Sequence, residues 1–99
     1  MIENAKITST FLGREDHGIL TGMVTLAGDG WGVGFGGRCL GGDYTTEWIK
    51  GVLDTLEVSS WEKLPGTLVR VEWEGVGGRA LRIGHAIKNK WYSGEKEKP

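Results

Sequence analysis

The residues of this chain best suited to holding a charged group are cations placed beside glycine turns or aromatic rings. Arg38 stands shortly before Gly41-Gly42 and the start of a helix near Thr45. Backbone N–H groups left free at a helix N-terminus, with a guanidinium alongside, attract phosphate or carboxylate. Asp43 competes with such an anion, and a self-capped helix after a glycine turn accounts for the same residues without a ligand. Further along, Lys88, Lys90, Trp91 and Tyr92 set ammonium groups next to rings, and Arg82 lies on the strand before them. That combination can stack on a base and hold a phosphate. It also reads as an aromatic anchor that seals a sheet and leaves its lysines in solvent.

Three other groupings invite a chemical reading. Glu15, Asp16 and His17 crowd one turn, and His85 could add a second imidazole. A catalytic zinc usually needs three protein ligands held in fixed geometry, and a solvated hairpin turn explains the first three residues without a metal. His85 sits between Ile83 and Ile87 on the apolar side of a strand, as expected of a core or rim histidine whose ring nitrogens are satisfied by backbone. Gly32-x-Gly34-x-x-Gly37 has the spacing of a dinucleotide fingerprint, but it falls inside a strand pattern with no βαβ unit around it. Glycines that make room for the helix or another chain are the favoured reading. No Ser/His/Asp or Cys/His set has motif context, so no catalytic residue and no cofactor are expected.

The elements that must position these residues follow from composition and period. A chain of 99 residues with 38% apolar and 25% charged residues has one globular core, burying roughly 60 to 70% of its unfolded surface. Eighteen glycines against two prolines imply a chain that turns often. A formal charge of −1 supplies no global basic field for nucleic acid. The lone Cys39 excludes an intrachain disulfide, and no apolar run approaches the roughly 18 to 20 residues of a membrane helix. A cytoplasmic location is expected.

Alternation predicts a first strand over residues 2–12, with Ala5, Ile7, Ser9 and Phe11 on one face. A second strand runs from Ile19 to Leu26, and Asp29-Gly30 turns it into a third, from Trp31 to Leu40. In the third strand Trp31, Val33 and Phe35 alternate with glycines, leaving a bare face that something must lie against. Trp48, Ile49, Val52, Leu53 and Leu56 recur at helical spacing over 44–56, with Asp43, Thr45 or Thr46 as cap. Gly51 inside that helix implies that a neighbour crosses there. A short turn at 60–63 ends at Pro65-Gly66, and strands follow over 67–74 and 79–87. The expected fold is α+β: about five mostly antiparallel strands in the order βββ-α-ββ, forming a sheet or half-barrel with one helix packed on it. Residues 1–92 form the domain and 93–99 a charged flexible tail.

Several runs together resemble a group of short tailed-phage and prophage proteins. They are Leu12-Gly13-x-Glu15-Asp16-His17-Gly18-Ile19, Gly28-Asp29-Gly30-Trp31-Gly32-x-Gly34-Phe35-Gly36-Gly37, Trp61-Glu62-x-Leu64-Pro65-Gly66 with Val69-Arg70-Val71, and Ile83-Gly84-His85 with Lys88-x-Lys90-Trp91. The likeness spans most of the chain up to Trp91 and implies provenance without a mechanism. By analogy, small phage proteins that lack catalytic motifs often act by stoichiometric binding.

The expectation is therefore a non-enzymatic, host-defence-evading binding protein, a homo-oligomer that sequesters a nucleotide-like anion. Arg38, Gly41, Gly42, Thr45, Arg82, Lys88, Lys90 and Trp91 are its expected ligand-binding residues. The alternatives are an anti-CRISPR-like blocker of a host or phage protein, acting through Trp31, Trp61 and Trp73, and a small metal-dependent enzyme centred on Glu15, Asp16, His17 and His85.

Overall fold

The computed structural model describes residues 2–14, 18, 20–37, 42–74 and 80–93, with the backbone alone at 37 and 42–44. The fold is α+β, with one helix and a six-stranded antiparallel sheet. Strands β1 (Ile2–Arg14), β2 (Leu20–Gly28) and β3 (Trp31–Gly37) form a meander, and helix α1 (Gly42–Leu56) follows. Next come a 3-10 turn (Trp61–Lys63), β4 (Leu68–Trp73), β5 (Ala80–His85) and β6 (Trp91–Tyr92). The two-residue β6 was not anticipated, because a segment that short has no readable period.

The strand order is β3-β2-β1-β4-β5-β6. Three hairpin-connected strands with the fourth returning beside the first make a Greek key. β1 serves both halves, pairing with β4 over Ile2–Lys6 and with β2 over Lys6–Arg14. Curvature of the open sheet brings Cα atoms of β3 within 8 Å of β5. Bulges bend the sheet to this shape between Ile7 and Ser9 and between Glu72 and Trp73.

The first bulge corrects the expected facing of β1. Ala5 and Ile7 are buried, but the extra residue changes the alternation, so Thr10 pairs with buried Val24 while Ser9 and Phe11 are exposed. Beyond it the pattern holds: Val24 and Leu26 of β2, Phe35 of β3, Val69, Val71 and Trp73 of β4 and Ile83 of β5 enclose the core. β5 ends at His85, and Ile87, expected on its apolar side, is almost fully exposed.

Helix α1 closes this core with Trp48, Val52 and Leu56, and Leu64 adds a plug from the connector. Trp48 is wholly buried, with Phe35 and Trp61 at ring-centroid distances of 6.4 and 5.5 Å. Its Nε1–H has no acceptor among the described residues. The helix begins at Gly42, ahead of all three residues expected to cap it; Asp43, Thr45 and Thr46 lie inside its first turns.

At the other end, Val58 N–H donates to Leu53 O and Glu57 N–H to Asp54 O, which is the Schellman arrangement. Glu57 takes the left-handed position usual for glycine, at φ 57°.

The crossing neighbour implied by Gly51 is Tyr92. A Cβ at Gly51 would lie 2.4 Å from the tyrosine ring. The bare face of β3 is not packed by the helix. The helix lies on the opposite side, and the side chain of Met23 from β2 covers Gly34 and Gly36, with its sulfur 2.8 Å from where a Cβ of Gly34 would sit.

Candidate ligand-binding surface

On the sheet face away from α1, register places one residue from each of four strands in a row: Asn4 pairs with Arg70, Arg70 with Gly84, and Gly84 with Trp91. A parallel row holds Ile2, Glu72 and Arg82. Gly84 makes the surface possible. A Cβ there would meet the Trp91 indole at 2.7 Å and the Lys90 carbonyl at 3.0 Å, so only glycine lets the ring lie down across β5.

Two guanidinium groups gather at this half-buried ring. Their central carbons lie 4.8 Å (Arg70) and 4.3 Å (Arg82) from its centroid, within cation–π range. Their charges are balanced differently. Arg82 Nε donates to the Glu72 carboxylate. Arg70 Nε donates to His85 O at 2.8 Å and its Nη2 to Lys88 O at 2.7 Å. Among the described residues no carboxylate pairs with Arg70, so carbonyl dipoles orient its full positive charge without neutralising it.

The two lysines expected beside the ring turn elsewhere. Lys88 Nζ reaches Glu57 at 2.8 Å, and Lys90 Nζ reaches Glu57 at 3.1 Å and Asp54 O at 2.8 Å. Their hydrogen bonds, Lys88 first and Lys90 second, hold the Glu57 carboxyl at about 2, well below its ordinary 4.5. Together they secure the C-terminal end of α1.

His85 behaves as the rim histidine expected. Its Nδ1 accepts from the backbone N–H groups of Ile87 at 3.1 Å and Lys88 at 3.0 Å, and its Nε2 lies 3.8 Å from Glu57.

Of the expected ligand residues, the structure brings Arg82 and Trp91 together, with Lys88 and Lys90 close in the chain but engaged by Glu57. Gly42 opens α1 and Thr45 lies half-buried on it. Arg38, Gly41, Glu15, Asp16 and His17 lie outside the described residues, and no group of three potential metal ligands occurs among the described ones. The aromatic surface of the blocker alternative is largely internal. Trp73 is buried and stacks on Trp31 at 4.4 Å, and Trp61 packs on Trp48.

Neither Arg70 nor Glu57 is among the ligand-binding residues expected from the sequence. Gly84 was the available signal for Arg70, since a glycine inside a strand marks a close approach. In comparisons with known proteins, no family model matches the chain, nor does any curated protein or solved structure at a significant level.

Proposed function

We propose that this chain is a non-enzymatic binding protein that holds an anionic, nucleotide-like ligand on its outer sheet face. Arg70 and Arg82 would take the anionic group beside Trp91. The observation that carries this reading is Arg70, a cation braced by two carbonyls, set against an aromatic ring and lacking a carboxylate partner among the described residues. Guanidinium forks suit phosphate oxygens, and a planar base can stack on the guanidinium plane while its phosphate pairs with the N–H edge. The resemblance of several motif runs to tailed-phage proteins would suit a host-defence antagonist that works by sequestration, and a homo-oligomer is the proposed form.

A thermal-shift panel of cyclic and linear nucleotides, with native mass spectrometry for copy number and retained ligand, tests the reading. A ligand at 100 times its Kd should add about 2.7 kcal/mol of stability. The shift should shrink as salt rises and vanish in Arg70→Ala. No shift with any nucleotide would remove the proposal.

One observation favours a second reading, a protein-blocking surface: Ile2 and Leu68 stand more than half exposed on the same face, around the Trp and Arg pair. Aromatic and arginine anchors with an apolar surround are the anatomy of a protein hot spot. Recovery of one host protein in equal amount, lost in Trp91→Ala, with no nucleotide shift, would select this version.

A further inference from the structure

We propose that residues 86–90 form a pH-sensitive strap that positions the Arg70 guanidinium and is released when His85 gains a proton. The functional part of this inference rests on reading Arg70 as the ligand-holding cation.

The strap is wrapped around the imidazole. His85 closes β5, and its backbone N–H donates to Lys90 O at 3.0 Å. Its ring Nδ1 accepts both the Ile87 and the Lys88 N–H. The loop carrying those donors also supplies one of the two acceptors that brace Arg70, the Lys88 carbonyl, while the other, His85 O, belongs to the end of β5. Lys90 N–H joins the same Lys88 carbonyl at 2.9 Å. The Nδ1 lone pair is thus one of the contacts that shape the loop, and the loop holds Arg70 Nη2.

An imidazole accepts only at an unprotonated nitrogen. Two donors at Nδ1 place the neutral ring's proton on Nε2. A second proton at Nδ1 would face two N–H groups with a third, leaving both backbone donors without their acceptor. Histidine is the side chain whose ordinary charge change falls between pH 5 and 8.

Charged groups face the ring from three elements. They are Glu57 at the end of α1, 3.8 Å from Nε2, Lys88 and Lys90 of the strap, and Arg70 of β4. Glu57 stays ionised throughout this window, so its hold on the two lysines persists. Release then begins at the Nδ1 contacts, and Arg70 loses the Lys88 carbonyl that helps fix it near Trp91.

Amide hydrogen exchange on the free protein tests the strap without any ligand. Between about pH 7.5 and 5.5, after correction for intrinsic exchange, protection at Ile87 and Lys88 should fall about tenfold or more while Val71 and Ile83 keep theirs. In His85→Asn, whose Oδ1 accepts without titrating, protection should stay level; His85→Asp, whose Oδ1 accepts as a carboxylate across this interval, replaces it should the first variant not fold. Equal protection at both pH values in the wild type, or an equal loss in both proteins, overturns the proposal.

Nucleotide titration at the two pH values forms a separate arm. Weaker binding at low pH in the wild type, absent from the Asn variant, supports the link to Arg70, and unchanged binding with an open strap overturns that link. Failure of every nucleotide to bind removes the ligand reading and leaves the exchange result to decide the strap.

Discussion

At the scale of single residues, two positions show how a local choice creates a surface. Gly84 is needed because the Trp91 ring occupies the space of its side chain, with backbone close on the same side. Gly84→Ala is therefore expected to displace the indole and to destabilise the fold by about 1–3 kcal/mol, as overpacking does. Denaturant midpoints measure the second effect and loss of nucleotide shift the first. Glu57 is the converse case, a side chain in a backbone conformation that costs an L-residue roughly 1–2 kcal/mol. Glu57→Gly would relieve that strain, yet it would also free Lys88 and Lys90 from their shared carboxylate. The expected outcome is a rise in backbone exchange over residues 86–90 even if global stability is unchanged.

At the scale of elements, α1 is secured from the sheet side. Its last turn ends in the Schellman bonds of Glu57 and Val58, and the strap lysines attach to the same turn. Because the Glu57 carboxyl is lowered from 4.5 to about 2, its contribution is fully present above 4.5 and is lost as pH falls toward 2. Acid titration followed by helical circular dichroism should show a shallower loss over that interval in Glu57→Gln than in the wild type. Gly51 gives a second element-level test. Alanine would gain about 1 kcal/mol in an open helix, but here it would meet the Tyr92 ring. Gly51→Ala is expected to lower stability by about 1–3 kcal/mol, and Gly51→Ala with Tyr92→Ala should recover the helix-propensity gain against Tyr92→Ala alone.

At the scale of the molecule, one core joins the strand and helix layers. Trp48 comes from the helix and Val71 from the sheet, and both belong to a single buried cluster. Trp48→Ala should cost about 3–5 kcal/mol and Val71→Ala a smaller amount, and both should move the same transition. Two separate transitions in denaturant would contradict a single core. The one-sided packing of the helix also explains why one sheet face lies outside the core. The helix covers only the inner side, so the outer face of β4, β5 and β6 can display a ring and two guanidinium groups.

Much of the architecture is legible in the residues themselves. Period-two alternation in β4, helical spacing from Trp48 to Leu56, the Asp29-Gly30 turn and the need for a neighbour at Gly51 all depend on local sterics and burial, which sequence spacing reports directly. The candidate surface was legible only in part. Trp91 and Arg82 stand out as an aromatic and a cation, but their association with Arg70 depends on three strand registers, and the diversion of Lys88 and Lys90 depends on where the helix ends. The inward and outward facing of β1 depends on a bulge that alternation cannot anticipate, because one inserted residue changes the face of those after it. Short-range preferences therefore determined which segments are strands and helix, whereas long-range pairing decided which charges meet which partners, since a charge is balanced by whatever the folded chain brings within a few ångströms.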